Sequence, residues 1–351
     1  MQQFITGIQQ AGIGVQNACE AKYLYRDLFG MNVLLFDDIA DASLMQKYTG
    51  NEIHRRRAIL SLNMQGGGGF EIWQFTSREP TQYCDQTAIG DIGIFGIKLK
   101  SNDIKKSYTA LTNNRHVTVS ALFISPNNTT HFWVKDAYGN NFNVVENSQS
   151  FKKTGGLCGG VIGATIGVTD MNRSLNFYVN ILGIDTVIYD KTGPIEDKPP
   201  NDNPGQVYRR VLLSKTAARE GAFSRLLGDV QIELIEVKDA SPKKIFSNRY
   251  WGDCGFIHLC FDVINMDGLK QHTCQHNINF SVDSADSFAM GDSAGRFCYI
   301  EDPDNTLIEL VETHKVPVYK KFGLYINLKK RKSNKPLPDW MVGLLGLNKI
   351  K

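Results

Sequence analysis

One stretch of this chain is written twice. GIQQAGIGVQNACEAKYLYRDLFGMNV, starting at Gly7, returns as GVIGATIGVTDMNRSLNFYVNILGIDT from Gly160. Val15 falls on Val168, Tyr25 on Tyr178 and Gly30 on Gly183, each pair 153 residues apart and without a gap. A repeat of this kind restricts the chain to folds in which one supersecondary unit is used more than once. Each copy opens with an apolar alternation (Ile8 to Val15; Ile162 to Val168), breaks at polar residues, and continues with apolar residues at helical spacing. Asn17 and Asp170 stand where a helix N-cap belongs, and Gly30 and Gly183 where a helix stops. Strand-like runs follow: MNVLLF, RAILSLN and FEIWQF in the first copy, DTVIYD, VYRRVLLS and VQIELIEV in the second. The unit reads βαβββ.

A second pair of matches extends the pattern. IGDIGIFG at Ile89 resembles WGDCGFIH at Trp251, and KDAYGNNFNVVE at Lys135 resembles EDPDNTLIELVE at Glu301. The chain therefore divides into four modules, at about 4–78, 89–148, 158–238 and 251–314. The expected fold class is α+β, with tandem βαβββ modules paired one with two (residues 1–150) and three with four (156–315). The segment 148–160, rich in Ser, Lys and Gly, separates the pairs, and 316–351 carries a basic cluster (Lys329, Lys330, Arg331, Lys332, Lys335) and a short helix. The Pro/Asn/Asp-rich loop 191–206 is read as a surface excursion or a lid.

Composition excludes several function classes. The 351 residues suffice for two cores. No apolar run reaches the roughly 20 residues needed to cross a bilayer, and MQQFITGIQQ does not resemble a secretory signal, so a cytoplasmic protein is expected. Seven scattered cysteines without a CxxC pair read as reduced thiols. A net charge of +3 is too small for a phosphate-binding field, and the partner expected is a small molecule, with no nucleic acid and no membrane. Four modules complete the fold internally, in a monomer or a homodimer.

Glu233 and Glu309 each sit inside an apolar strand, between Ile232 and Leu234 and between Ile308 and Leu310. Strand alternation sends those neighbours to the opposite face, so the carboxylates face a cavity or water, and a buried carboxylate needs a cation or a hydrogen-bond network. VTDMNRSLNFYVNILG followed by EDPDNTLIELVE resembles the glyoxalase/bleomycin-resistance/extradiol-dioxygenase superfamily over roughly residues 4–314. The resemblance implies curved mixed sheets around a cavity, with metal ligands on the first and last strands of paired modules. Under the pairing above, those positions read Gln10, Glu71, Gly96 and Asn143 in the first pair, and Gly163, Glu233, His258 and Glu309 in the second. A divalent metal (Zn, Ni, Mn, Co or Fe(II)) is thus expected on Glu233, His258 and Glu309, with water in place of Gly163, while Gln10 and Glu71 are a remnant that binds nothing.

The function implied is of glyoxalase or epimerase type, with Glu309 as the base that abstracts a proton beside a carbonyl. The alternatives are a non-enzymatic binder of bleomycin-resistance type and an extradiol-type dioxygenase, the latter disfavoured because Gly163 stands where a second histidine would be needed. His54, His116, His131, His272, His276 and His314 show no ligand spacing. Trp73, Trp251, Phe288 and Met290 are core or cavity residues, and Arg209, Arg210, Arg249 and Arg296 are candidates for an anionic substrate group or for ordinary pairing.

Overall fold

The computed structural model describes residues 3–82, 87–199, 205–216, 220–285, 288–290, 293–319, 323–329, 331 and 334–351. Cys84, Lys330, Lys332 and residues 200–204 of the Pro-rich loop lie outside the described residues. Module one is β1 (Ile5–Gly14), α1 (Ala18–Phe29), β2 (Val33–Asp41), β3 (Arg55–Leu62) and β4 (Gly69–Phe75). Module two is β5 (Gly93–Ser101), α2 (Ile104–Thr112), β6 (Thr118–Val119), β7 (Phe123–Ile124), β8 (Thr130–Lys135) and β9 (Asn141–Glu146). Module three is β10 (Val161–Val168), α3 (Met171–Asn176), β11 (Thr186–Gly193), β12 (Tyr208–Lys215), α4 (Ser224–Leu227) and β13 (Val230–Val237). Module four is β14 (Gly255–Val263), α5 (Met266–Gln275), β15 (Val282–Asp283), β16 (Phe288–Met290), β17 (Ser293–Glu301) and β18 (Leu307–Tyr319). β19 (Leu324–Asn327) and α6 (Asp339–Gly343) follow.

The helix signals in the repeated stretch act as their chemistry requires. The Asn17 side chain accepts from the backbone N–H of Cys19 and Glu20, and that of Asp170 from Arg173. Gly30 (φ 72°) and Gly183 (φ 66°) take the left-handed conformation just past each helical segment, the second of which finishes in a π-helical stretch at Phe177–Ile181.

In every module the first strand pairs in parallel with the last. The modules then join through their first strands, running antiparallel. β1 joins β14, and β10 joins β5, which gives a ten-stranded sheet of order β15-β17-β18-β14-β1-β4-β3-β2, with β16 paired to β17 and β19 to β18, and a nine-stranded sheet of order β11-β12-β13-β10-β5-β9-β8-β6, with β7 paired to β8. Module one is therefore paired with module four, and module two with module three. This differs from the expected pairing of one with two and three with four: residues 1–150 and 156–315 each give one module to each sheet.

The junctions show why sequence left the pairing open. A Cβ on Gly14 would come within 1.9 Å of the Asp253 carbonyl oxygen, and one on Gly167 within 2.0 Å of the Asp91 carbonyl oxygen. Both contacts join the glycine of one repeated stretch to the Gly-Asp turn of the module that completes its sheet. The two turns and the two first strands are equivalent parts, so their local patterns permit either combination.

The largest apolar cluster takes Ile13, Phe70, Ile72, Leu259 and Ile308 from the first sheet and Phe132, Phe142, Ile232 and Leu234 from the second, with Tyr25 and Tyr178 from the helical segments between. Tyr25 donates to Asp136 (2.8 Å) and Tyr178 to Asp302 (3.0 Å), so each helical segment is tied to the opposite sheet. Alternation then turns the intervening residues of the ten-stranded sheet to its other face, where a second cluster (among others Leu35, Leu60, Trp73 and Tyr299) receives Phe223, Leu226, Leu227 and Leu345. The C-terminal segment packs back on module one, with Leu34 N–H donating to the Asn348 carbonyl at 2.8 Å. Among the described residues no helix is long and apolar enough to cross a membrane, and six cysteines are unpaired.

Candidate metal centre

Four polar side chains meet on that second face, each from one of the four central strands. Gln10 is on β1, Glu71 on β4, His258 on β14 and Glu309 on β18. Glu71 lies between Phe70 and Ile72, and Glu309 between Ile308 and Leu310; those neighbours enter the core between the sheets, which forces the carboxylates the other way. All four side chains are buried: Gln10 is 3% exposed, Glu71 2%, His258 0% and Glu309 6%.

His258 Nε2 lies 3.3 Å from Glu71 Oε2 and 3.2 Å from Glu309 Oε2. Gln10 Nε2 donates to the same two oxygens, at 3.1 and 3.2 Å. Two atoms of this cluster, Gln10 Oε1 and His258 Nε2, have no hydrogen-bond partner. On the far side of the ring, Nδ1 of His258 is 3.1 Å from the Tyr299 hydroxyl. That contact holds the ring in place and leaves Nε2 directed at the carboxylates.

The donor set fits a divalent cation. Donors at roughly 2.0–2.2 Å from a common centre stand about 3.0–3.5 Å from one another, which is the spacing seen around His258 Nε2. One donor atom from each of Glu71, His258 and Glu309 lies within 4.8 Å of the others. Gln10 can exchange Nε2 for Oε1 by a half-turn of its amide, since the two ends are nearly alike in shape. The electrostatics point the same way. Burial works against a charged His258, but Glu309 and Glu71 raise its pKa above the ordinary value. Burial pushes the Glu309 carboxyl up, His258 pulls it down and Glu71 pushes it up again, with a net rise. Two carboxylates crowded in a buried site are the arrangement that a cation relieves.

Gly12 makes room for the imidazole. It is paired with Glu71 on one side and His258 on the other, and a Cβ there would lie 2.5 Å from the His258 Nε2 and Cε1 atoms. The imidazole occupies the space of the missing side chain.

Glu233 is not part of this cluster, contrary to the expectation for residues 156–315. It lies on β13 of the other sheet, where Lys98 Nζ reaches its Oε2 at 2.7 Å, Arg210 binds its Oε1 and the Tyr189 hydroxyl donates to the same oxygen at 2.5 Å. Burial opposes the charged form, yet Arg210 and Lys98 hold the carboxyl well below the usual range. Thr165, at the repeat position of Gly12, also donates to Glu233, at 3.1 Å. At the remaining positions of this sheet Gly163 and Gly96 offer no side chain, the place of a Gly96 Cβ being taken by Trp133 at 2.9 Å, and the Asn143 Oδ1 accepts from Lys98 at 3.2 Å. The module pairing redistributes the positions read from the repeat: Gln10 and Glu71, expected to be a remnant, meet His258 and Glu309, and Glu233 lies in the other sheet with Gly163, Gly96 and Asn143.

His131, expected not to be a ligand, binds Asp197 (2.9 Å) in that depleted centre, and Asp197 also pairs with Arg210 (2.6 Å). The four candidate arginines are engaged within the protein: Arg209 with Asp190, Arg210 with Glu233 and Asp197, Arg296 with Asp283 and Asp267, and Arg249 with backbone carbonyls. Trp73, Trp251, Phe288 and Met290 line a small cavity on one side of Glu71 and Glu309. Arg56, which sequence reasoning did not single out, lies in the same cavity with its guanidinium 4.9 Å from the Trp73 ring centroid. A larger apolar cavity of about 110 Å³ shares Glu71, Glu309, Phe288 and Met290 with it.

Residues 161–310 match the family model for the Glyoxalase/Bleomycin resistance protein/Dioxygenase superfamily. No curated protein matches the chain in sequence. Among solved structures, a putative dioxygenase from Bacillus subtilis subsp. subtilis str. 168 is similar with a TM-score of 0.55 and 14% identity, over 89% of this chain and 86% of that one. Glyoxalase I from Zea mays is similar with a TM-score of 0.53 and 12% identity, over 87% of this chain and 92% of that one. These likenesses are of fold, and they extend over modules one to four, beyond the span of the family model. Modules three and four thus match the glyoxalase/bleomycin-resistance/dioxygenase superfamily in sequence, and the whole chain shares the fold of the solved structures named here.

Proposed function

We propose that this protein is a divalent-metal-dependent enzyme of glyoxalase or epimerase type, which moves a proton at the carbon beside a carbonyl of a small substrate. The observation that carries the reading is the meeting of Gln10, Glu71, His258 and Glu309, with Gln10 Oε1 making no hydrogen bond and His258 Nε2 facing two carboxylates without hydrogen-bond geometry to either. A bound cation would polarise the substrate carbonyl and stabilise the negative charge that develops on its oxygen. The chain's own groups do the rest. Gln10, Glu71 and His258 hold the centre, and Tyr299 orients the imidazole. Glu309 borders both cavities, and its carboxyl, raised by burial, is a stronger base than a solvated glutamate, suited to taking a proton from carbon. Apolar walls keep bulk water from competing for that proton. A single imidazole among the donors fits this chemistry better than ring cleavage, which calls for two.

The test begins with metal. After removal with chelator, the protein should take up one equivalent of Zn, Ni or Co. His258→Ala and Glu71→Ala should each weaken binding at least tenfold, and Glu233→Ala should leave it unchanged. Glu309→Gln should lower exchange of the substrate α-proton with deuterated solvent by about 10²-fold or more. Undiminished metal in His258→Ala, or loss of metal in Glu233→Ala, would overturn the assignment. Ligand binding without metal and without exchange would replace the enzyme by a binder.

A further inference from the structure

We propose that the cavity beside Glu309 accepts a small, uncharged carbonyl compound with an apolar body no larger than one ring, and that Phe223 and Leu226 set this limit. The proposal rests on the reading of the metal centre given above and names its substrate class.

The limit is built from the other sheet. In module one, β3 and β4 are joined by a short Gly-rich link, residues 63–68, whereas in module three β12 and β13 are joined by the longer segment 216–229, which contains α4. Its residues Phe223, Leu226 and Leu227 leave their own sheet and lie over the cavity of the first. Gly67 N–H donates to the Leu226 carbonyl at 2.8 Å, and a Cβ on Gly7 would stand 2.6 Å from Leu227 Cβ, so the first sheet is shaped to receive it. Phe223 (8% exposed) and Leu226 (2%) join Leu35, Leu60 and Leu62 as cavity walls, with Glu71 and Glu309 at the polar side. At about 110 Å³ the space is smaller than an engineered apolar cavity of about 150 Å³ that binds benzene.

Charge narrows the class further. Glu71, Glu309 and Asp262 all line the cavity. The Arg296 guanidinium that borders it is bound to Asp283 at 2.8 and 2.9 Å and to Asp267 at 2.6 Å, and the Lys315 ammonium lies 3.9 Å from the Tyr325 ring centroid. Once a cation occupies Glu71 and Glu309, an anionic substrate tail would still meet the Asp262 carboxyl, an arginine already paired and a lysine ammonium held against an aromatic ring.

The test uses metal-loaded protein and two hemithioacetals of one aldehyde, methylglyoxal: the adduct of 2-mercaptoethanol, small and uncharged, and that of glutathione, a bulky anionic tripeptide. The first should have at least a tenfold higher kcat/KM. Leu226→Ala, and independently the milder Phe223→Leu, should raise kcat/KM for the two-ring naphthylglyoxal adduct of 2-mercaptoethanol about tenfold relative to that for the methylglyoxal adduct. Preference for the glutathione adduct, or an equal loss on all substrates in both variants, would overturn the proposal. If no adduct turns over although metal is bound, the enzymatic reading fails on its own. The size limit is then read from toluene and naphthalene binding, followed by titration calorimetry. Toluene binding to the wild type, with naphthalene binding only to Leu226→Ala, supports the limit; equal binding of both to the wild type overturns it.

Discussion

At the scale of single residues, the candidate metal centre depends as much on an absent side chain as on the four present. Gly12 is the lateral neighbour of both Glu71 and His258, and the imidazole fills the volume a Cβ would need. Gly12→Ala leaves every donor in place but pushes His258 out of register with the carboxylates. Its apparent metal affinity should fall at least tenfold while circular dichroism stays that of the wild type, the displaced buried ring costing about 1–3 kcal/mol of stability. Equal affinities for the two proteins would mean that the ring has room elsewhere. The repeat offers an internal comparison: Thr165, the counterpart of Gly12, carries a side chain in the sheet where Gly96 takes the place of His258.

At the scale of elements, β13 and β4 show how one strand pattern yields two outcomes. Each places a glutamate between apolar neighbours, Glu233 between Ile232 and Leu234 and Glu71 between Phe70 and Ile72. What differs is the strand two places away across the sheet. β5 brings Lys98 to Glu233, and β14 brings His258 to Glu71. A lysine ammonium thus meets the carboxylate that a cation would otherwise meet. Lys98→Met leaves Glu233 facing Arg210 with one fewer partner in a buried site, and should cost about 3–5 kcal/mol in urea unfolding. The double change Lys98→Met/Glu233→Gln should recover much of that loss, because no uncompensated carboxylate remains. Metal uptake at the other sheet should be the same in both. A loss below about 1 kcal/mol for Lys98→Met would show that the pair is not a buried support of the fold.

At the scale of the whole molecule, the sheets are tied by buried tyrosine–aspartate contacts, and one of them carries a pH signature. Burial raises the Asp302 carboxyl to about 6, from 3.8, more than its hydrogen bonds from Thr306, Asp304 and Tyr178 lower it. Because the folded value lies above the unfolded one, the stability this group contributes is complete below about pH 4 and is lost as pH rises through about 6. Asp302→Asn has no such titration. Between pH 4 and 8 its stability relative to wild type should therefore improve by on the order of 3 kcal/mol, whatever constant offset the altered hydrogen bonds introduce. Parallel stability curves for the two proteins would place the pH dependence elsewhere.

The local chemistry of this chain was legible without coordinates. Helix caps at Asn17 and Asp170, stops at Gly30 and Gly183, and strand alternation around Glu71, Glu233 and Glu309 depend on neighbours a few residues away. They fix which residues face the core between the sheets and which face outward, and so the set of positions from which a centre could be built. Which of those positions share a centre depends on how modules join, and that is a long-range choice between equivalent edges. β1 could be completed by β5 or by β14, each carrying the same Gly-Asp turn and apolar alternation, and no pattern along the chain separates the two. The same holds for the cap over the cavity: the apolar residues of α4 announce burial, but only the folded chain seats them against module one. Local sequence determined the donors and their faces; tertiary pairing of first strands decided that Gln10 and Glu71, and not Glu233, meet His258 and Glu309, because backbone edges that look alike are told apart only by the packing of the whole chain.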